Sequence, residues 1–484
     1  MVSSEVSPWA RSGGLADVLG ALPQALASLG YQVAVVLPRY MHAADAPATR
    51  VIDQLPVPTG FGPIDVSVWS MTSTPEGATG SVTYFFVENA GLFGRDGLYG
   101  DSYGDFGDNQ LRFALLSRAA LEISRRIFPA DVFHCHDWQA ALVPVYLREQ
   151  FSFDPEFAAA KTLLTIHNLG YQGLFPASKL PDLGLGQHLF NPSQLEFWGQ
   201  INFLKAGIVF SDAINTVSRK YAEEIQTPEY GFGLDGLLRE RRNVLSGILN
   251  GVDYARWNPA NDPHIAAHYT PEDLSGKREC KRALLEQMGL PERLMDRPLL
   301  GIVSRFAAQK GFDLIGEIAP QILDLDVALV VLGDGEARYE DMFRELRRKH
   351  ADRVAVTFGF NDPLAHLIEA GSDIFLMPSH YEPCGLNQIY SLKYGTVPAV
   401  RATGGLDDTV DNYSESDGMG TGFKFWDPTD RALFFTIGWA VSTYFDRPAH
   451  FLSMQQRGMK KDFSWTSSAK QYEDVYERAI AVRA

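Results

Sequence analysis

An alternation constrains the fold of this chain more than any other feature. In the second half, "PLLGIVS" (298–304), "VALVVLG" (327–333), "VAVTFG" (354–359), "DIFLMP" (373–378) and "VPAVRA" (397–402) are short β-rich apolar runs. Between them lie "GFDLIGEIAPQIL", "ARYEDMFRELRRKH" and "DPLAHLIEAG", whose apolar residues recur at helical spacing. Strand, loop and helix repeated in this way predict a parallel sheet covered by helices on both faces. The first half repeats the pattern with "QVAVVLP", "VTYFFVE", "DVFHCH", "KTLLTIH" and "DAINTVS". Its first helical stretch carries Leu15, Val18, Leu19, Leu22, Leu26 and Leu29 on one face, and Pro23 is expected to kink it or to start a second helix. The opening "MVSSEV" leaves little length for a first strand, so either residues are missing upstream or the strand is a stub.

At 484 residues the chain exceeds what one core serves, so two α/β domains are expected. The stretch "GILNGVDYARWNP" (247–259) reads as their linker, which sets the domains at 1–246 and 247–460. No apolar stretch reaches the length of a membrane span, and the first residues lack the basic and apolar regions of a signal peptide, so a cytoplasmic protein is expected. A net charge of −16 disfavours nucleic-acid binding, and an anionic ligand has to be met by a local basic cluster. Cys135, Cys280 and Cys384 have no metal-ligand spacing, no second cluster of ligands is recognisable, and neither a metal nor a disulfide framework is expected.

Ligands of an open parallel sheet bind beyond the carboxyl ends of its strands. Beyond "DIFLMPS" comes "HYEPCGLNQ", with Glu382 ahead of Gly385 at the expected start of a helix; beyond "VPAV" comes "RATGGLDD", with Gly404 and Gly405. A second Gly-Gly-Leu, Gly13 to Leu15, opens a helix near the start of the chain. Glycines there let backbone N–H groups approach a ligand, and a helix N-terminus favours an anion, although a single Gly-Gly before a helix is more often plain loop geometry. Arg305 and Lys310, in "SRFAAQKG", follow the strand "LLGIV". Alone each is an ordinary solvated charge, but their place at a strand end in the same half as Glu382 favours phosphate binding. His167 follows a strand and precedes a loop, whereas His134 and His136 fit equally well as satisfied core residues. The chain has no Gly-x-Ser-x-Gly elbow and no Walker-type loop.

The segments "SSEVSPWARSGGLADVLGALPQAL", "HCHDWQAALVPVYL", "TIHNLGYQG", "INTVSRKYAEEI", "GILNGVD", "SRFAAQKGFDLI" and "HYEPCGLNQIYSLKYGTVPAVRATGGLDDTV" together resemble the bacterial glycogen synthase and plant starch synthase family, in order and spacing, from residue 3 to about residue 470. The resemblance implies two Rossmann-like domains facing each other across a deep cleft (the GT-B fold), with the last helix, within 461–484, returning to the first domain. It implies ADP-glucose as donor, ADP as product, an α-1,4-glucan or maltooligosaccharide as acceptor, retention at the anomeric carbon, and no cofactor.

Carried over by position, the resemblance gives Arg305 and Lys310 to the donor diphosphate and Glu382 to the donor glucose. It gives the backbone of Cys384, Gly385 and Leu386 to sugar hydroxyls and phosphate, and His167 to the side of the transferred glucose. Asp137 and Asn250 fall on polar positions of the family cleft, as do Asp17, Tyr99 and Thr403, while Gly13, Gly14, Gly404 and Gly405 line the donor loops. Retention allows either a covalent glycosyl-enzyme on a carboxylate or front-face departure in which the leaving phosphate takes the acceptor's proton. The second is the family's usual route, with Glu382 orienting rather than attacking.

Departures from the family pattern are local. Arg11 stands where the family motif carries Lys, a planar fork in place of a point charge, which bears on donor geometry and on ADP- against UDP-glucose. His380 and Asn387 replace a common Arg and Thr, and Phe360 stands where Tyr is common near the base. A non-catalytic glucan-binding relative is disfavoured by the presence of Arg305, Lys310 and Glu382, and a nicotinamide oxidoreductase by the lack of a Gly-x-Gly-x-x-Gly fingerprint. Sucrose and trehalose-phosphate synthases are the nearest competitors, but they usually carry a second Glu where Tyr390 stands here.

Overall fold

The computed structural model describes residues 1–481 and divides the chain into two compact units. The first comprises residues 1–217, 222–251 and the chain from 465 onward; the second comprises 218–221 and 252–464.

The sheet of the second unit has six parallel strands in the order Val354–Phe358, Ala328–Gly333, Leu299–Val303, Ile374–Met377, Val397–Arg401 and Phe423–Phe425. Numbered along the chain this is 3-2-1-4-5-6, the doubly wound Rossmann order, which reverses between Leu299–Val303 and Ile374–Met377. All six residues of Ala328–Gly333 are buried, as expected for a strand covered on both faces. The sixth strand was not legible as a β-rich run, since Phe423–Phe425 is only three residues long. The helices Phe312–Leu323, Ala337–Lys349 and Asp362–Gly371 match the three helical stretches, and the last is capped by Asn361, whose side chain accepts from Leu364 N.

The sheet of the first unit is knitted at Val2. Val2 alone bridges in parallel to Val36 on one side and Cys135 on the other. It joins the strands Leu245–Gly247, Ala213–Thr216, Lys161–Ile166 and Val132–His136 to Gln32–Pro38, Ser81–Glu88, Gly62–Ser73 and Thr49–Thr59. From Ser81–Glu88 through to Leu245–Gly247 the strands are parallel, and the order reverses at Val2. The two outermost strands, Thr49–Thr59 and Gly62–Ser73, are an antiparallel hairpin absent from the sequence reading. Most of Thr49–Thr59 is exposed, so it lacks the apolar run that marks the central strands.

Two expectations are corrected. Pro23 starts no second helix, because a single helix runs from Gly14 to Ser28 with Pro23 buried inside it. Leu15, Val18, Leu19, Leu22 and Leu26 are buried, each contributing about 1.5–3 kcal/mol of transfer free energy. The border between units falls after Gly251, not after residue 246. Leu245–Gly247 pairs with Ala213–Thr216, and Ile248 is buried in the first unit's core. The helix Trp465–Ala481 belongs to that core through Ala469, Tyr472, Val475 and Tyr476. Residues 461–464 stay with the second unit, where Lys461 Nζ pairs with Asp411 at 2.8 Å, and residues 482–484 of the expected last helix lie outside those described.

Candidate active site

In the second unit the loops beyond the two strands at the topological switch point carry the residues singled out from the sequence. Arg305 and Lys310 follow Leu299–Val303, Glu382 follows Ile374–Met377, and these strands are adjacent. Adjacency brings Lys310 Nζ to 2.6 Å from Glu382 Oε2, which also accepts from Ser379 Oγ at 3.0 Å. The carboxylate side chain is 8% exposed and the Lys310 side chain 20%, so the pair is largely out of water. Arg305 is exposed and forms no ion pair among the described residues.

The turn after Glu382 needs its glycine, since Gly385 has φ +70°. The following helix is Asn387–Lys393, two residues later than expected from Gly385. The N–H groups of Gly385 and Leu386 therefore precede the first helical turn, and they donate to no group among the described residues. Asn387 Nδ2 donates to Val303 O, tying this loop to the end of the neighbouring strand, and His380 Nε2 meets the Asp313 carboxylate at 2.9 Å. Both departures from the family pattern thus have local structural partners. Phe360 is 81% exposed, leaving its ring face available for stacking.

The two Gly-Gly-Leu loops look alike in sequence and differ in space. A Cβ on Gly404 would lie 2.0 Å from Glu382 O, and one on Gly405 would lie 1.9 Å from Cys384 O. Gly405 N already donates to Glu382 O, and Thr403 is fully buried. These glycines let the loop after Val397–Arg401 press against the Glu382 turn, so packing explains them. A Cβ on Gly13 or Gly14 would meet nothing within 4 Å, and Gly13 is in extended backbone that any residue adopts. Neither packing nor conformation requires glycine there, and the space a side chain would fill lies at the start of a helix.

A residue not singled out from the sequence holds that loop. The buried Glu5 accepts from Ser12 N and Ser12 Oγ at 2.6 Å each, from Gly13 N at 3.2 Å and from the Tyr99 hydroxyl at 2.6 Å. The available signal was that Glu5 is the only acidic residue before Asp17. Tyr99 also meets Ser4 Oγ at 2.8 Å, and Arg11 pairs with Asp17 at 3.2 Å. Asn250 is buried, with its amide oxygen unpaired among the described residues.

At the ends of the next two strands, Asp137 and His167 are brought together. Asp137 has φ +56°, a left-handed conformation that costs a non-glycine residue on the order of 1 kcal/mol. Its Oδ1 accepts from His167 N at 2.7 Å, and burial outweighs such backbone bonds to push its carboxyl up to about 7. His167 Nε2 lies 3.0 Å from His136 Nδ1. Burial drives His167 down to about 3 and His136 well below the usual imidazole range, so both rings are neutral. His136 Nε2 is buried without a hydrogen-bond partner among the described residues. The hydrogen-bond pattern assigns the shared proton to His136 Nδ1, because the reverse arrangement would leave an orphaned N–H on His136. His167 then carries its own proton on Nδ1. Behind this pair, His134 bonds Tyr476 OH at 2.7 Å and Thr165 Oγ1 at 2.6 Å as a satisfied core residue, one of the two readings the sequence left open for it.

The geometry has counterparts in known proteins. A family model described as the starch synthase catalytic domain matches residues 1–240, and one described as glycosyl transferases group 1 matches residues 290–433. The chain is 48% identical over 482 residues to the glycogen synthase of Koribacter versatilis (strain Ellin345), covering 100% of this chain and 98% of that one. It is 44% identical over 484 residues to the glycogen synthase of Moorella thermoacetica, covering 100% and 97%. Among solved structures, the catalytic domain of Starch Synthase IV from Arabidopsis thaliana, bound to ADP and acarbose, superposes with a TM-score of 0.88 at 32% identity over 99% of this chain and 98% of that one. A sucrose-phosphate synthase from Thermosynechococcus elongatus, at 17% identity and a TM-score of 0.59, shares the fold alone. With identity near one half sustained along its whole length, the chain belongs to the glycogen synthase and starch synthase family of glycosyltransferases.

Proposed function

We propose that the protein transfers glucose from ADP-glucose to the non-reducing end of an α-1,4-glucan with retention of anomeric configuration. The observation that carries this reading is the juxtaposition of Lys310 and Glu382 one hydrogen bond apart, with Arg305 on the same loop as Lys310. A nucleoside diphosphate sugar has an anionic diphosphate joined directly to a neutral, hydroxyl-rich ring, and a cation beside a carboxylate matches both ends.

Cleavage of the glycosidic C–O bond leaves negative charge on the departing phosphate. Cations fixed in advance stabilise that charge at no reorganisation cost. At about 4 Å and an effective dielectric near 20, each such pair is worth about 4 kcal/mol. The N–H groups of Gly385 and Leu386 would add two neutral donors. Glu382 bears its charge against Lys310 and Ser379, which weakens it as a nucleophile and suits it to hold glucose hydroxyls. The proposed route is therefore front-face departure: the C1–O bond to ADP breaks, the acceptor 4-hydroxyl bonds to C1, and its proton passes to the leaving phosphate oxygen. Within the first unit the same reading assigns ligand contacts to the open space at Gly13 and Gly14, to Asp137 and to the Nδ1–H of His167. The chemistry draws on the donor and the chain's own groups without a cofactor.

The test offers purified protein ADP-glucose or UDP-glucose with a maltooligosaccharide, following nucleotide release and chain growth. ADP release matched one-to-one by elongation is expected. Donor hydrolysis without elongation would overturn the synthase reading, and faster growth with UDP-glucose would overturn the donor assignment. Trapping a glucosyl adduct on Glu382 with a slow donor analogue would replace the front-face route by double displacement.

A further inference from the structure

Away from these residues, in the second unit, His366 has an arrangement that neither glucose transfer nor core packing accounts for. It lies on the helix Asp362–Gly371, one turn after Asp362 and on the same face. The ring is fully buried, and its Nδ1 is 2.7 Å from Asp262 Oδ2. A carboxylate only accepts, so Nδ1 donates to Asp262 and Nε2 is the nitrogen left to face the rest of the group. That nitrogen is enclosed and has no hydrogen-bond partner among the described residues; the Asp362 carboxylate stands 3.9 Å off. His264 completes a group of three whose ligand atoms all lie within 4.8 Å of one another.

The surroundings hold this group in place. Asp262 is 1% exposed; it also receives the Tyr394 hydroxyl and, at 2.8 Å, His264 N, so one carboxylate fixes the imidazole of His366 and the backbone of His264. Trp257 stacks on the His366 ring at 3.6 Å and 10°, and Tyr390 stacks on Trp257 at 3.9 Å, which holds the ring plane. A buried carboxylate on the far nitrogen of a histidine is the arrangement that raises ligand basicity and fixes the tautomer in metal sites.

We infer that His264, Asp362 and His366 bind a divalent transition-metal ion of the zinc type through two imidazole nitrogens and one carboxylate oxygen, with water as fourth ligand. The charges of Asp362 and Asp262 offset a dication once Arg256, which now pairs with Asp362, is released. Bonds of about 2.0–2.1 Å in a tetrahedral set require ligand atoms roughly 3.3 Å apart. From separations of up to 4.8 Å the site would close by up to about 1.5 Å, and His264 is the exposed ligand of the three. Arg256, which grips both Asp362 oxygens at 2.7 Å, is the competitor for that carboxylate. A bound ion would pin the segment 257–264, just after the border between the units, to the helix Asp362–Gly371. Its role is structural, since none of these residues belongs to the proposed transfer machinery.

The test uses the full chain, stripped with chelator and titrated with zinc chloride, and with cobalt(II) chloride as a spectroscopic probe. One equivalent is expected to bind, cobalt giving the intense visible bands of a tetrahedral N/O site, and saturating zinc raising the melting temperature by about 5 °C or more. His264→Ala, an exposed position, is expected to weaken binding at least tenfold and abolish the thermal shift with turnover unchanged. Arg256→Gln is expected to tighten binding severalfold. Absence of one-equivalent binding overturns the inference, as does zinc binding that His264→Ala and Arg256→Gln both leave unaltered. A melting temperature that responds to pH but not to zinc would assign the buried nitrogen to a proton instead.

Discussion

Replacing Lys310 by Met keeps the length of the stem and removes its charge, leaving the Glu382 carboxylate with Ser379 Oγ as its remaining partner. Removing one member of a buried ion pair costs about 3–5 kcal/mol. Lys310 is 20% exposed and Glu382 8%, and water screening at the lysine reduces this to about 2 kcal/mol. For a unit the size of 252–464, 1 kcal/mol moves the melting temperature by about 2–4 °C, so Lys310→Met is expected to lower it by about 4–8 °C. Glu382→Gln leaves a lysine that can reach water and costs less, about 1 kcal/mol. The double variant pairs a neutral amide with an apolar stem and is expected to melt within about 2 °C of the parent. Turnover follows a different pattern: Lys310→Met loses at least about two orders of magnitude, and the double variant does not recover it. Calorimetry and ADP release on the same preparations separate the two effects. A Lys310→Met protein that melts like the parent would show that the pair carries no stability. Near-parental turnover in the folded variant would remove Lys310 from the phosphate site.

The two Gly-Gly loops respond in opposite ways. Gly405→Ala drives a methyl to 1.9 Å from Cys384 O and is expected to cost more than about 3 kcal/mol in thermal unfolding, whereas Gly13→Ala is expected to melt within about 2 °C of the parent while losing tenfold or more in kcat/KM for ADP-glucose. With the carboxyl of Asp137 pushed up to about 7, the folded state keeps a proton between about pH 4 and 7 that the unfolded chain has lost, so stability falls as pH rises through that window by up to about 1.4 kcal/mol per unit. Asp137→Asn removes this slope, and its melting-temperature advantage over the parent grows from about pH 4 to 7 and levels off above; a constant difference refutes the shift. His167 has the opposite sign: driven down to about 3, it contributes a loss of stability as pH falls from about 6.5 toward 3, and His167→Gln is expected to blunt acid unfolding of the parent over that range. Glu5→Gln places an amide N–H against donors that now point at a carboxylate, and is expected to cost about 2 kcal/mol together with a larger loss of kcat/KM than Gly13→Ala.

The sequence by itself determined the parallel α/β architecture. Buried strands such as Ala328–Gly333 must be apolar along their whole length, and helices such as Phe312–Leu323 must be apolar on one face, so both leave a period in the chain. It also determined the order of its motifs, and with that the family, because Arg305, Lys310, Glu382 and the Gly-Gly-Leu segments are local words. The hairpin Thr49–Thr59 with Gly62–Ser73 escaped because an edge strand exposed for most of its length needs no apolar run. Glu5 escaped because its meaning lies in four donors that only the folded loop gathers.

Only the tertiary structure decided which charges meet. Lys310 and Glu382 are 72 residues apart and touch because strand order reverses between the two strands that carry them. Only the tertiary structure, too, separated two identical tripeptides: Gly404 and Gly405 are small because a backbone carbonyl lies where their side chains would be, whereas Gly13 and Gly14 face open space. A sequence records the size and polarity that each position tolerates. Whether the neighbour that imposes the limit is the chain itself or a ligand is a property of the space around it, which exists only after folding.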